Sequence, residues 1–168
     1  MTIVEAGPVA AGSPEPAGEP SESHGGPAEG APNRTELLAA TYRPGPDVPA
    51  LARRQFFYTA QRTELDALAR EELLIVVSEL CANAYVHGDG PIGLRVWGED
   101  DEVVVEVTDN GRWSRYGGRT VALDSIAERG RGLDFVNGVC DGGIVLCGPS
   151  GTTVRCWKST GEAASRIA

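Results

Sequence analysis

Residues 64–86 read ELDALAREELLIVVSELCANAYV, and this stretch decides the expected fold. Its apolar residues recur every three or four positions, which is the spacing of a helix and not the alternation of a strand. The face that they form consists of Leu65, Leu68, Leu73, Val76, Val77, Leu80 and Ala84. We expect a long helix here that ends at His87 and Gly88, with Gly88 as a left-handed cap.

The segments before this helix predict one strand and one further helix. Residues 34–42 are interpreted as a strand, and the Pro-Gly-Pro sequence at 44–46 predicts the turn that follows it. Asp47 predicts the N-cap of a helix that runs to about Arg62. The side chains that this helix is expected to bury are Val48, Leu51, Phe56 and Phe57.

After the long helix, short apolar runs separated by turn residues predict two hairpins. Their strands are expected at residues 92–97 with 103–108 and at 143–147 with 152–157. Between the hairpins we expect a mobile loop over 110–130, with a helical turn near 121–127, and then a helix over 133–139. Because strands and helices do not alternate, we predict an α+β fold of two layers, in which about three helices cover one face of a mixed, mostly antiparallel sheet.

The composition of the chain divides its 168 residues into one domain and two tails. Residues 1–33 consist mainly of Ala, Gly, Pro, Ser and Glu, and hold five carboxylates without a single Lys or Arg. Such a segment cannot form a core, so we predict a disordered acidic tail over 1–33. The domain is expected at 34–160, and 161–168 form a C-terminal tail.

Charge and hydropathy exclude several classes of function. The net charge of −9 argues against direct binding of nucleic acid, which depends on clustered Lys and Arg. No window approaches the roughly 18 apolar residues of a membrane-spanning helix, and the N-terminus has no secretory signal, so we expect a cytoplasmic protein. The cysteines show no metal-binding spacing and are expected to be reduced core thiols; they are Cys81, Cys140, Cys147 and Cys156.

Four short motifs carry the chemistry. In the long helix, ELCAN places Glu79 and Asn83 one turn apart on the same face. TDNG puts Asp109 at the end of a predicted strand, GRGL at 130–133 opens a predicted helix, and Thr152 begins the last strand. Each motif is common by itself, and the order of the four on these elements is what makes the set specific.

In this order the motifs resemble the N box, the two glycine boxes and the terminal Gly-Thr motif of the ATPase superfamily of gyrase, heat-shock chaperones and histidine kinases. The resemblance spans residues 36–158. It is strongest to the bacterial anti-sigma-factor serine kinases, whose pattern is close to ANAYVHG and GRGLDFV in this chain. The resemblance implies the Bergerat ATP-binding fold, with ATP and Mg²⁺ as ligands.

The residue types agree with the roles that the resemblance implies at the adenine and the metal. The amide oxygen of Asn83 suits a magnesium ion, and Glu79 can accept the proton of an attacking hydroxyl. Asp109 can accept a hydrogen bond from the adenine amine, with Gly111 letting the backbone approach the base and Thr152 assisting. A simple tight turn is the alternative interpretation of residues 109–111.

The GRGL segment is expected at the phosphates. Backbone amides of Gly130, Gly132 and Leu133 at a helix N-terminus can face phosphate oxygens, and Arg131 adds a cation. Gly117 and Gly118 are expected to hinge a lid over the nucleotide. One residue departs from the family pattern: Trp113 stands where the superfamily often has a second glycine.

The resemblance implies a serine/threonine kinase that phosphorylates an antagonist protein and otherwise holds a sigma factor. A non-catalytic, ATP-responsive binding module is the alternative, and a gyrase- or chaperone-like subunit is the less favoured third reading. Family members commonly form homodimers, so a homodimer is also expected. Arg53 on the first predicted helix is the candidate for partner contact, with an ordinary solvated charge as the competing interpretation.

Overall fold

A computed structural model describes residues 34–63, 65–112, 118–126 and 130–159. Both predicted tails lie outside these ranges, as do Trp113 and Gly117. The elements in chain order are β1 (Arg34–Tyr42), α1 (Val48–Ala60), α2 (Ala67–His87), β2 (Ile92–Glu99), β3 (Glu102–Asp109), β4 (Thr120–Ala122), a 3₁₀ turn (Leu123–Ser125), α3 (Arg131–Val139), β5 (Gly142–Gly148) and β6 (Gly151–Ser159).

The six strands form one sheet in the order β1-β2-β3-β6-β5-β4. All described pairings are antiparallel, in agreement with the mostly antiparallel sheet that the sequence predicted. The chain leaves β3 and returns through β4, α3 and β5 before β6 pairs with β3. This return places Thr152 directly opposite Asp109.

The core lies between the three helices and one face of the sheet, as expected for an α+β sandwich. Alternate residues of β2 and β3 face it, because side chains of a strand point to opposite faces in turn. The members of α2 and these strands that are at least 98% buried in this core are Ala69, Leu73, Val76, Val77, Leu80, Cys81, Ile92, Leu94, Val96, Val103, Val105 and Val107. Among the described residues, no helix is both long and apolar enough to cross a membrane.

On the other face of the sheet, cations cover the ring of Trp97. Trp97 is 1% exposed, because the Arg34 guanidinium lies 3.8 Å from the centre of its ring. Its indole nitrogen donates a hydrogen bond to Glu99 at 2.7 Å. Arg155 also lies over the ring and pairs with Glu106, so cationic side chains shield this ring.

Two burial predictions were wrong. In α1 the buried positions follow a strict spacing of four residues, Val48, Ala52, Phe56 and Ala60, which leaves Phe57 at 42% exposure. Leu51 is half-buried and packs against the core. In α2, Leu68 is 65% exposed, because the first turn buries Ala69 instead.

Two element predictions also need correction. Gly88 is extended, with φ −86°, and is not a left-handed cap. A glycine is required at position 88 for another reason, since a Cβ there would lie 2.5 Å from the carboxyl carbon of Asp109. The expected helical turn within 121–127 is present as the 3₁₀ turn, but strand β4 before it was not predicted, and α3 begins at Arg131, two residues earlier than predicted.

Replacing Phe56 by alanine tests the α1 packing. Phe56 is fully buried, so Phe56→Ala should lower the free energy of unfolding by about 3–5 kcal/mol. The neighbouring Phe57→Ala is the matched control and should cost far less, because that ring is exposed. Urea denaturation followed by circular dichroism measures both, and equal losses in the two variants would contradict the assigned face of α1.

Candidate functional site

The four motifs meet at the end of α2, where it adjoins β3, β6 and the start of α3. A Cβ on Gly132 would overlap the carboxylate of Glu79, so the first turn of α3 lies against α2. Gly88, directly after α2, lies against the carboxylate of Asp109 at the end of β3. The Thr152 hydroxyl of β6 donates to the Gly111 carbonyl at 2.9 Å. The structure therefore brings the motifs into one region.

Asp109 is held by backbone donors. Its carboxylate accepts the Gly111 N–H at 2.6 Å and also the backbone N–H of Asp89. Burial raises the pKa of Asp109, the two backbone hydrogen bonds oppose that rise, and the charge of Asp89 adds to it. A carboxylate fixed in this way presents a hydrogen-bond acceptor of defined direction, which is what recognition of an amine on a flat base requires.

The backbone around Asp109 is closely packed. Gly151 has φ +139°, a conformation that favours glycine, and a Cβ there would overlap the carbonyl oxygen of Asp109. The Asn110 N–H donates to the Asp89 carbonyl at 2.7 Å, which ties the TDNG segment to the residue after Gly88. Segments 88–89 and 109–111 therefore hold one another in place.

The side-chain amide of Asn83 has an unsatisfied hydrogen-bond donor. Its amide nitrogen is buried and has no hydrogen-bond partner among the described residues, which is costly for a polar atom away from water. The amide can turn by half a rotation, so either its nitrogen or its oxygen can occupy that position. A polar ligand beside Asn83 would satisfy the group.

Asn83 and Glu79 are compatible with a magnesium ion. The described residues contain no group of three or more His, Cys, Asp or Glu side chains arranged to hold a metal ion. Magnesium is commonly bound by one or two protein oxygens, with water and phosphate oxygens completing its shell. The amide of Asn83, with Glu79 one helical turn earlier, fits that requirement.

The N-terminus of α3 offers backbone donors. Its N-cap is Gly130, which has no side chain that could cap the helix. The Gly130 carbonyl accepts a hydrogen bond from the Asp134 N–H at 3.1 Å. The N–H groups of the first turn therefore lack partners within the helix. Arg131 is exposed, whereas the Leu133 side chain is buried in the core, so Leu133 can contribute only its backbone.

Two residues near Asp109 were missed by the sequence analysis. Asp89 supplies a backbone donor to Asp109, and only the closeness of segments 88–89 and 109–111 in space reveals it. Cys147 pairs with Thr152 across β5 and β6, and its pKa is raised by burial and then by the charge of Asp109. The strand register places that thiol near Asp109, and the register could not be predicted from the sequence.

The remaining predicted residues lie apart from this region or at its edge. Gly118 has φ +76°, which is compatible with a hinge. Arg53 is exposed on α1 and lines a cavity of about 420 Å³ together with Asp47, Ala50, Leu51, Arg54, Phe57 and Leu74. No residue of the four motifs lines that cavity, so the structure does not join Arg53 to Glu79 or Asp109.

Comparison with known proteins identifies the fold and the family. The chain resembles the crystal structure of the RsbU and RsbW domains of Rv1364c from Mycobacterium tuberculosis, with a TM-score of 0.55 and 19% identity. The match covers 73% of this chain and 32% of that one, and at this identity it supports the fold alone. A search of curated proteins found no similar sequence. Residues 43–158 match the model of the histidine kinase-like ATPase domain, and the chain belongs to that family.

Proposed function

We propose that this chain binds ATP with Mg²⁺ and transfers the terminal phosphate to a serine or threonine of an antagonist protein, as an anti-sigma-factor kinase does. The observation that carries the proposal is the buried amide nitrogen of Asn83, which has no hydrogen-bond partner among the described residues. Glu79 lies one helical turn before Asn83 and contacts Gly132 of α3. Family membership supports the ATP site, and the motif pattern supports the kinase type.

At the adenine end, Asp109 accepts a hydrogen bond from the exocyclic amine of the base. The backbone donors of Gly111 and Asp89 keep the carboxylate in place, so it does not need to reorganise when the nucleotide arrives. Thr152 holds the carbonyl of Gly111 and thereby fixes the segment that passes along the base.

At the phosphate end, the Asn83 amide oxygen would hold magnesium, and the first-turn N–H groups of α3 with Arg131 would bind the phosphates. Bound magnesium neutralises charge that develops on the transferred phosphate. Glu79 accepts the proton of the attacking hydroxyl, and its carboxylate is positioned by contact with the first turn of α3.

The partner surface is proposed at α1. Arg53 and Arg54 flank an otherwise largely apolar cavity, and such a surface suits a protein segment that carries an acidic residue beside apolar ones. A sigma factor or its antagonist is the partner that the motif pattern favours, in a cytoplasmic complex that can include a homodimer of this chain. Because the cavity is separate from Glu79, a non-catalytic ATP-responsive binding module remains the second candidate function.

Asp109→Asn tests the adenine contact. The amide offers one acceptor and one donor where the carboxylate offers only acceptors, so affinity for ATP and ADP should fall at least tenfold, a loss of about 1.4 kcal/mol. Titration calorimetry measures the loss, and circular dichroism shows that the variant is folded. Unchanged affinity in a folded variant would place the adenine elsewhere.

Single alanine substitutions of Glu79 and Asn83 test the proposed roles of these residues at the phosphates. Glu79→Ala should retain ATP affinity and lose transfer by about 10²–10⁴-fold, the usual contribution of a general base. Asn83→Ala should lose the part of ATP affinity that depends on magnesium. Transfer is measured as phosphoserine or phosphothreonine on an antagonist protein by mass spectrometry, and full transfer by Glu79→Ala would refute the general-base role.

Arg53→Ala tests the partner surface. Because the cavity lies apart from the four motifs, this variant should keep ATP affinity and weaken binding of a purified antagonist or sigma factor. Arg62→Ala is the matched control, since Arg62 is also exposed but does not line the cavity. Equal partner affinity in the two variants would show that Arg53 is an ordinary solvated charge and does not contact the partner.

A further inference from the structure

Two of the four cysteines lie together at the end of α3, away from the proposed nucleotide site. Cys140 follows the last residue of α3, and Cys156 is on β6. Two hydrogen bonds bring these segments together: the Asp141 N–H donates to the Trp157 carbonyl at 2.9 Å, and the Lys158 ammonium donates to the Val139 carbonyl at 2.7 Å. Cys156 also pairs with Gly143, three residues after Cys140, and the two thiols lie close enough for each to shift the pKa of the other.

The two thiols differ in access to solvent. Cys156 is completely buried within the core cluster, whereas Cys140 is partly exposed at the end of the helix layer. A small oxidant in solution therefore reaches Cys140 first. The sulfur of Cys156 is then the neighbouring thiol that can attack an oxidised Cys140.

Charged groups surround the pair. The Lys158 ammonium lies beside it and forms an ion pair with Glu72 of α2 at 2.7 Å, and Asp141 follows Cys140 directly. The hydrogen bond from Cys156 lowers the pKa of Cys140, burial opposes this change, and the charge of Lys158 lowers the pKa further. The same hydrogen bond and burial raise the pKa of Cys156. The exposed thiol is thus the one more readily ionised, and the thiolate is the reactive form.

We propose that Cys140 and Cys156 are a peroxide-responsive dithiol, which closes to an intramolecular disulfide when the protein meets a hydroperoxide. The Cys140 thiolate attacks one oxygen of the peroxide, the O–O bond breaks, and an alcohol or water leaves after taking a proton from solvent. Cys140 is then a sulfenic acid, oxidised by two electrons. The Cys156 sulfur attacks the Cys140 sulfur, the S–O bond breaks, and water leaves with the proton of Cys156.

The disulfide would join α3 to the sheet without closing the proposed phosphate site. Gly130 and Cys140 lie at opposite ends of this nine-residue helix, which at about 1.5 Å per residue is roughly 13 Å long. The bond would fix the C-terminal end of α3 to β6, where Lys158 already holds the Val139 carbonyl. This inference is independent of the kinase proposal, because it requires neither ATP nor a partner.

The test is peptide mapping of the folded, full-length chain after brief exposure to hydrogen peroxide. Catalase stops the reaction, and the protein is alkylated under denaturing conditions and digested. We expect one cross-linked peptide pair joining Cys140 to Cys156, with a mass lower by two hydrogen atoms, while Cys81 and Cys147 are recovered alkylated. Alkylation of all four cysteines, conversion of Cys140 to its sulfinic acid, or a disulfide between two chains would overturn the proposal.

Variants assign the order of attack. Cys156→Ala should accumulate a sulfenic acid at Cys140 that dimedone traps, and Cys140→Ser should form no disulfide. Cys81→Ala is the matched control and should form the Cys140–Cys156 disulfide at the wild-type rate, since Cys81 is a buried thiol of α2 outside the pair. If Cys156→Ala fails to fold by circular dichroism, the wild-type peptide map and Cys140→Ser decide the question.

Discussion

The packing of α2 against the sheet is the contact on which the rest of the structure depends. Leu73, Val76 and Val77 of this helix are fully buried and Leu80 is almost so, and that burial fixes both the position of the helix along the sheet and its rotation. Glu79 and Asn83 follow on the edge of this buried face, so their direction is set by the core and not by a flexible loop. The helix then ends at Gly88 against the carboxylate of Asp109, which links the core to the polar end of β3.

The polar groups of the site are stabilised less well than the core around them. The Asn83 amide nitrogen is buried without a partner, and burial raises the pKa of Asp109 even though two backbone donors favour its charged form. Both features cost folding free energy, because a buried polar group prefers to be paired. A domain selected for stability alone would not retain them, whereas a ligand that pairs with both would recover that cost on binding.

Sequence patterns predicted the elements well, because each long element has a strong local signal. The spacing of Leu73, Val76, Val77 and Leu80 identified α2, and alternation identified β2 and β3. Phe57 and Leu68 were assigned to the buried side wrongly, since hydrophobicity alone does not distinguish adjacent positions on the rim of a helix face. β4 was missed because three residues are too few to show a period. The contact of Gly88 with Asp109 joins residues far apart in sequence, so a local rule gave Gly88 the wrong conformation.

Besides its apolar packing on the core, α3 is held by contacts at both of its ends. The helix buries only Leu133 and Val136 fully, so apolar packing alone fixes it less firmly than α2. At its N-terminal end, Gly132 lies against Glu79. At its C-terminal end, Lys158 of β6 donates to the Val139 carbonyl while it pairs with Glu72, so one ammonium group joins three elements.

The Lys158 side chain is 17% exposed and the Glu72 side chain 22%, so the pair is shielded from solvent enough to matter more than an ordinary surface ion pair. Since a short helix moves largely as a rigid body, whatever holds its C-terminal end also limits how its N-terminal turn can shift against Glu79. The orientation of the first-turn N–H groups is therefore determined partly by contacts at the far end of α3, next to the two thiols.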